Sequence, residues 1–385
     1  MTSIVQLLHA MVQKEASDLF ITAGAPVRLK IDGRVLPTTQ PPQTAETARQ
    51  LAYELMSPDQ IRRFEETLEM NFGYGIPGLA RFRINVFQQR GAVALVARRL
   101  DSKIPTLAEL GMPAVLERLA LERRGLMLVV GAAGSGKTST MASMIEHRNQ
   151  RMDGHILTVE DPIEYVFKHR KSLVNQREVG TDTESYDAAL VNALRESPDM
   201  IMVGEIRLRQ TMEQVIGYAN TGHFCLSTLH AINSYQALTR IISFFPLETR
   251  SAVLFELAAC LVAIVAQRLV RTKDGVRVPA VEVFCVDYHL RELIREGKMA
   301  EIREIMEEGH SPELQSFDYA LVKLYKDGKI DFEEAKANSD SPRQLHLLAD
   351  SSDTEELSVS APSSSRRRGE PPAIELPTID LPDKG

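Results

Sequence analysis

Tryptophan is absent from the 385 residues, and aromatic side chains make up only 6% of them. The chain also has no excess of positive charge: 45 Lys and Arg face 52 Asp and Glu, a formal charge of −7. No basic, aromatic-rich channel segment is visible, so a nucleic-acid motor is not expected. The three cysteines, Cys225, Cys260 and Cys285, lie too far apart for a Cys-x-x-Cys clip. An odd count without pairing logic suits a reducing compartment and argues against structural zinc. No run of about 18 uncharged apolar residues occurs, so no membrane-spanning helix is expected. Met1-Thr2-Ser3 lacks the basic start of a secretory leader. The longest apolar stretch, Ala252 to Val270, is interrupted by Glu256 and Gln267 and reads as a core helix. What remains is ordinary for a soluble globular chain, 44% hydrophobic and 25% charged, and long enough for two domains.

The most specific feature present is Gly131-Ala132-Ala133-Gly134-Ser135-Gly136-Lys137-Thr138, an uninterrupted G-x-x-x-x-G-K-[ST] loop. Apolar residues Gly125 to Val130 precede it as a buried strand, and Ser139 to Ile145 follow as the first turns of a helix. Strand, glycine loop and helix in that order build a phosphate cradle. Glycines let backbone N–H groups turn inward, Lys137 reaches the terminal phosphates, and the Thr138 hydroxyl can ligate Mg²⁺.

Around this loop the chain divides by pattern. Residues 1–100 read as helix, strands, helix and strands, a small α+β module. Within it Asp32-Gly33 signals a hairpin, residues 44–69 read as helical, and Ala80–Gln88 and Ala92–Leu100 form a strand pair. Residues 101–113, punctuated by Pro105, Gly111 and Pro113, read as a linker. From 114 onward apolar strands alternate with helices, the mark of a parallel sheet covered on both faces. The expected strands are Leu126–Val130, His155–Val159, Met200–Val203, Phe224–Thr228 and Val281–Val286, with a helical region following to about 338. This second unit extends to 348. Residues 349–385, rich in Ser and Pro, are expected to be disordered. Their Arg366-Arg367-Arg368 cluster reads as a solvated charge run, with partner or phospholipid contact as the alternative.

Two acidic segments end expected strands on the side where open α/β sheets bind ligands. One is Glu160-Asp161-Pro162-Ile163-Glu164, whose three carboxylates would repel one another without a cation. The other is Met200-Ile201-Met202-Val203-Gly204-Glu205, a Walker-B-like strand in which Gly204 would let the metal's water shell approach. His223 and His230 bracket the strand between them, and each serves equally as a γ-phosphate sensor or as a satisfied polar residue. In the first unit, alternation from Ala80 puts Arg81, Arg83 and Asn85 on one face, opposite Phe82, Ile84 and Phe87. Val86 breaks that alternation, so a bend is expected there. Arg98 and Arg99 lie on the neighbouring strand. Such a basic strip suits an anion, including a nucleotide in an adjacent subunit, or pairing with Glu65 or Glu66.

Taken together, Ala16-Ser17-Asp18-Leu19, Arg81-Phe82-Arg83-Ile84-Asn85, the phosphate loop, Glu160 to Tyr165, Val174-Asn175-Gln176-Arg177-Glu178-Val179, Gly204-Glu205-Ile206-Arg207 and Thr221 to His230 resemble the secretion-ATPase superfamily. Within it the chain resembles the type IV pilus retraction (twitching motility) ATPases of the PilT/PilU family. Ile242 to Pro246, Ser316 to Leu321 and Asn338 to Ser341 are more similar to PilU. The resemblance covers about residues 1–348. It implies a RecA-like P-loop ATPase domain preceded by a PAS-like domain.

It also implies roles. Gly131, Ala132, Ala133, Gly134, Ser135, Gly136, Lys137, Thr138 and Ser139 would bind ATP. Thr138 and Glu205, supported by Glu160 and Asp161, would serve Mg²⁺. Glu164 would orient or deprotonate the attacking water, and His230 and His223 would sense the nucleotide. Arg83 and Arg98, with Arg81 a third candidate, would act as arginine fingers between subunits of a homo-hexamer. The absence of a tetracysteine cluster separates the chain from the extension and type II secretion ATPases. His289 stands where PilT typically has alanine at the head of its retraction-associated segment, and Phe20 replaces a histidine common in the family. The implied partners are a PilT-like ATPase and the pilus platform protein, at the cytoplasmic face of the inner membrane, without nucleic acid. An ATP-binding accessory that couples or stiffens a PilT ring stays open beside an independent motor.

Overall fold

The computed structural model describes residues 3–100 and 103–350. Residues 351–385, including Arg366–Arg368, lie outside the described residues. The described residues up to 349 form one compact unit.

Its N-terminal part runs α1 (Ile4–Gln13), β1 (Asp18–Ile21), β2 (Arg28–Ile31), β3 (Arg34–Pro37), α2 (Ala45–Tyr53), α3 (Pro58–Thr67), β4 (Glu69–Ile76), β5 (Ala80–Gln89) and β6 (Ala92–Leu100). The three helices each open on a capping box, from Ser3, Thr44 and Ser57, whose side chains satisfy otherwise orphaned amides. The strands form one antiparallel sheet in the order β3-β2-β1-β6-β5-β4, the PAS-like module. The hairpin across Asp32-Gly33 turns with both residues at positive φ, 48° and 78°. In β5 the alternation holds through Val86, which is fully buried beside Phe82 and Ile84. Phe87 therefore joins the face of Arg81, Arg83 and Asn85, and the bend expected at Val86 is absent. An apolar residue simply took the inward position that the pleat assigns it.

The second part begins with a connector whose Leu107 and Met112 are buried against the following sheet's core. It continues through α4 (Val115–Leu119), β7 (Gly125–Gly131), α5 (Lys137–Arg151), β8 (Gly154–Glu160), β9 (Ser172–Glu178), α6 (Tyr186–Ala193), β10 (Met200–Val203), α7 (Arg209–Asn220) and β11 (Phe224–Leu229). Then follow α8 (Ser234–Ser243), α9 (Arg250–Cys260), β12 (Leu261–Arg271), β13 (Arg277–Cys285), α10 (Tyr288–Glu296), α11 (Met299–Glu307), β14 (His310–Ser311), β15 (Leu314–Gln315), α12 (Phe317–Lys326), α13 (Phe332–Ala337) and α14 (Pro342–Asp350). Among the described residues these strands make a nine-stranded sheet, β14-β15-β13-β12-β7-β11-β10-β8-β9. From β9 to β12 neighbouring strands are parallel, and β13, β15 and β14 add an antiparallel edge. In β7, Leu126, Leu128 and Val130 belong to one buried cluster while Met127 and Val129 belong to the cluster on the other face. A strand buried on both faces explains why its sequence is uninterrupted apolar. This is the RecA-like α/β part.

Three expectations change. The stretch Ala252 to Val270 is a helix only to Cys260, and Leu261–Arg271 is a strand. Val262, Ile264, Val265 and Val270 are β-branched and favour the pleated sheet, where Ala263 to Ala266 are fully buried. Strand β9 is additional to the expected strands, and its burial alternates only from Ser172 to Asn175. Ala349 and Asp350 end α14 rather than beginning the tail.

A buried carboxylate holds the start of α8. Glu282 on β13 accepts bonds from Ser234 N and Oγ, both at 2.6 Å, and burial pushes its pKa up to about 7. A carboxyl whose folded-state pKa is raised stabilises below its unfolded value, and that contribution is lost as pH rises through the folded value. The wild type should therefore lose stability relative to Glu282→Gln between about pH 4.5 and 7. At about 1.4 kcal/mol per unit the difference is on the order of 1–3 kcal/mol. Urea unfolding of both proteins at pH 4.5 and 8 measures it, and parallel curves at the two pH values refute it.

Candidate functional site

Because β8, β10, β11 and β7 are parallel neighbours, their C-terminal ends converge on one side of the sheet. There Lys137, Thr138, Glu160, Asp161, Glu164, Tyr186, Gly204, Glu205, Thr228 and His230 line one cavity of about 190 Å³. The carboxylates read from two separate sequence segments thus meet the phosphate loop.

The loop is shaped for close approach. Gly131 has φ 151°, and a Cβ there would lie 2.4 Å from Ser135 Oγ and 2.6 Å from Gln267 O. Gly136 is the N-cap of α5 in the left-handed region and supplies no side-chain cap, so the first amides of that helix keep their capacity for an anion. Lys137 Nζ donates to Gly131 O at 2.8 Å and Ala132 O at 2.9 Å, bracing the loop. Burial pushes its ammonium below the usual lysine range, against the pull of Glu205. Ser135 Oγ is buried without a hydrogen-bond partner, packed on the Gly131 side of the loop. Ser139 Oγ meets Tyr165 Oη at 3.1 Å.

The acids differ in how their charge is handled. Glu205 Oε2 accepts from Arg207 Nε at 2.7 Å. Its Oε1 lies 2.6 Å from His230 Nε2, yet without hydrogen-bond alignment, so this buried oxygen is left unsatisfied. Glu160 is buried, with Oε1 taken by Thr158 Oγ1 at 2.7 Å and Gln176 Nε2 at 3.0 Å. Burial pushes its pKa up to about 7, opposed by those two bonds. Asp161 is exposed, and Glu164 is partly so. Among the described residues no group of three or more His, Cys, Asp or Glu is placed to hold a metal ion. The donors present, a hydroxyl at Thr138 and an unsatisfied oxygen at Glu205, fit a hydrated Mg²⁺ that shares its shell with phosphates.

Other expected residues lie differently. His223 precedes β11 at the end opposite His230, about 20 Å away for six residues of strand. It contacts Tyr218 O at 3.2 Å and does not line this chain's own cleft. Gly204 makes room for Tyr186, whose hydroxyl would lie 3.0 Å from an added Cβ. Arg83 Nη1 stands 3.9 Å from Glu164 Oε1 of the same chain. Arg98 Nε bonds Asp18 Oδ1 at 2.7 Å while its side chain stays 62% exposed. Arg81 pairs with Glu178 at 2.7 Å and not with Glu65 or Glu66.

Several site residues had no role in the sequence reading. Tyr186 sits in an unremarkable helix start, and burial pushes its hydroxyl pKa up, keeping it a neutral donor. Gln176 and Glu178 lie within the Val174–Val179 segment, and Arg207 within the Gly204–Arg207 segment. Gln267, which donates to Thr140 Oγ1 at 3.0 Å behind the loop, was visible only as a polar break in an apolar run.

The model of the type II/IV secretion system protein family matches residues 1–314. The chain is 46% identical over 357 residues to the type IV pilus ATPase PilU of Pseudomonas aeruginosa, covering 92% of this chain and 94% of that one. It is 39% identical over 342 residues to the type IV pilus retraction ATPase PilT of the same organism, covering 89% and 99%. A crystal structure of the pilus retraction motor PilT with bound ADP superposes with a TM-score of 0.85 at 41% identity, covering 90% of this chain and all of that one.

Gly131→Ala should weaken binding of a fluorescent ATP analogue at least about tenfold, or about 1.4 kcal/mol, because the new methyl displaces Ser135 and the loop. Unchanged affinity would show that the loop's shape does not set nucleotide binding.

Proposed function

Because the chain belongs to the type II/IV secretion system protein family, in its type IV pilus retraction branch, we propose that it is an ATP-hydrolysing motor subunit that powers or assists pilus retraction. The observation that carries this reading is the meeting of the phosphate loop with Glu164, Glu205 and His230 in one cleft. Lys137 and the loop amides hold the β- and γ-phosphates, and Glu164 orients the attacking water or takes its proton. Thr138 and Glu205 would hold Mg²⁺, which when bound neutralises charge on the phosphate oxygens. His230, beside the unsatisfied oxygen of Glu205, couples the cleft to the loop that follows β11.

The assembly is proposed to be a homo-hexamer in which Arg83 and Arg98 reach a neighbour's nucleotide. Their support is local: Arg83 and Arg98 are directly paired across β5 and β6 and so share a face. Two guanidiniums side by side repel, and an anion placed between subunits relieves that repulsion. Asp18 and Glu164 offset it only in part. The partners follow from the similarity to PilU and PilT: a PilT-like ATPase, on which activity is proposed to depend, and a platform protein at the cytoplasmic face of the inner membrane. Among the described residues no helix is long and apolar enough to cross a membrane, so membrane association is assigned to those partners.

A second reading keeps the ATP site but makes the protein an accessory that couples or stiffens a PilT ring. The PilU-like segments favour it. Pilus retraction scored with this protein alone and with PilT present separates the two. For the enzyme itself, turnover per subunit should rise steeply with protein concentration, because the site is completed by a neighbour. Lys137→Ala should abolish turnover. Wild-type activity no higher than that of Lys137→Ala would remove the motor reading.

A further inference from the structure

We propose that Arg81 and Glu178 form a clamp within one chain that positions Glu164, so that the placement of the N-terminal sheet sets the geometry of the water-orienting carboxylate. The role of Glu164 is taken from the function proposed above; the clamp itself stands on geometry. Glu178, at the end of β9, is 2% exposed, and each of its carboxylate oxygens accepts two hydrogen bonds. Oε1 receives Gly73 N at 2.8 Å and Thr181 Oγ1 at 3.2 Å. Oε2 receives Arg81 Nη2 at 2.7 Å and Ile163 N at 3.1 Å. Arg81 then donates its Nε to Ile163 O at 3.2 Å. The ion pair thus grips Ile163 on both its N–H and its C=O, one residue before Glu164.

The pair bridges residues 97 apart in sequence and joins β5 to the acidic turn. Gly73 on β4 keeps the space open. A Cβ there would lie 2.4 Å from Arg81 Nη2 and 2.7 Å from Glu178 Oε2. Two residues along β5, Arg83 reaches toward Glu164 itself. A shift of the N-terminal sheet is therefore transmitted to Glu164 through Ile163, and misplacement of a reacting group by about 1 Å costs on the order of a hundredfold in rate. Arg81 acts as a positioning residue in its own chain and not as a finger across a subunit seam.

The test uses the full chain with Arg81→Lys, which keeps the charge but loses the planar fork, and Glu178→Gln. Gly73→Ala disturbs the pair from outside if either fails to fold. Turnover should fall about 10- to 100-fold, while affinity for a fluorescent ATP analogue changes by less than about twofold. In mixed assemblies, Arg81→Lys subunits combined with Lys137→Ala subunits should recover no activity, because each arginine serves only its own site. Recovery in that mixture would place Arg81 in a neighbour's site and overturn the proposal. Hydrogen exchange at residues 160–166 gives a readout that needs no turnover. Faster exchange at Ile163 and Glu164 in the variants supports the clamp, and unchanged exchange refutes it. If the wild type proves inactive while exchange responds, the ATPase reading falls and the clamp remains.

Discussion

Four carboxylates, from Glu160, Asp161, Glu164 and Glu205, line one cleft, and the architecture around it is organised by how their mutual repulsion is relieved. Each is relieved differently. Glu205 is held by Arg207 and faced by His230, Glu164 is approached by Arg83, and Asp161 is left to solvent. Glu160 is enclosed with two neutral donors and pushed toward protonation near neutrality. Only a parallel sheet with β10 between β8 and β11 brings these ends together, so the strand order and the charge arrangement are one constraint. The unsatisfied oxygen of Glu205 marks where compensation is incomplete, beside the lysine that would carry phosphates into the same cleft.

That constraint explains which parts of the site could be read from sequence. The phosphate loop is local: eight consecutive residues determine its turn, its cradle and its lysine. The acids are local in the same sense, falling in two short segments, Glu160 to Glu164 at the end of β8 and Glu205 just after β10, each preceded by a buried strand. What sequence does not carry is which strand ends share an edge. His223 and His230 flank one strand symmetrically in sequence, yet only His230 leaves it on the side of the loop. The same limit applies to Arg81, whose partner lies on a strand that alternation alone did not reveal. The division of Ala252–Val270 into helix and strand had a local signal in its β-branched residues, outweighed by the length of the apolar run.

Arg81 and Arg83 show how one strand face can serve two purposes. Both side chains project from the same face of β5, two residues apart. Arg81 meets a buried carboxylate and is committed to it, since removing the arginine would leave Glu178 buried without its cationic partner. Arg83 meets Glu164 only at 3.9 Å, with both side chains partly exposed, a contact worth little in water. The buried pair fixes the strand; the exposed arginine is held in place by that fixture and stays available to another anion. Arg98, its cross-strand neighbour, is restrained in the same way through Asp18.

This arrangement bears on the choice between motor and accessory. A protein that only bound ATP would need the loop and a cation, and Lys137, Thr138 and Glu205 would suffice. The connections from the N-terminal sheet to Ile163 and toward Glu164 add nothing to binding the phosphates. They connect the position of one module to Glu164, the residue proposed to act on water. Such a connection serves chemistry that is to be timed by movement, and it is therefore more at home in a subunit that hydrolyses ATP than in one that merely holds it. An accessory role in a mixed ring would then rest on where the motion is delivered rather than on a weakened site.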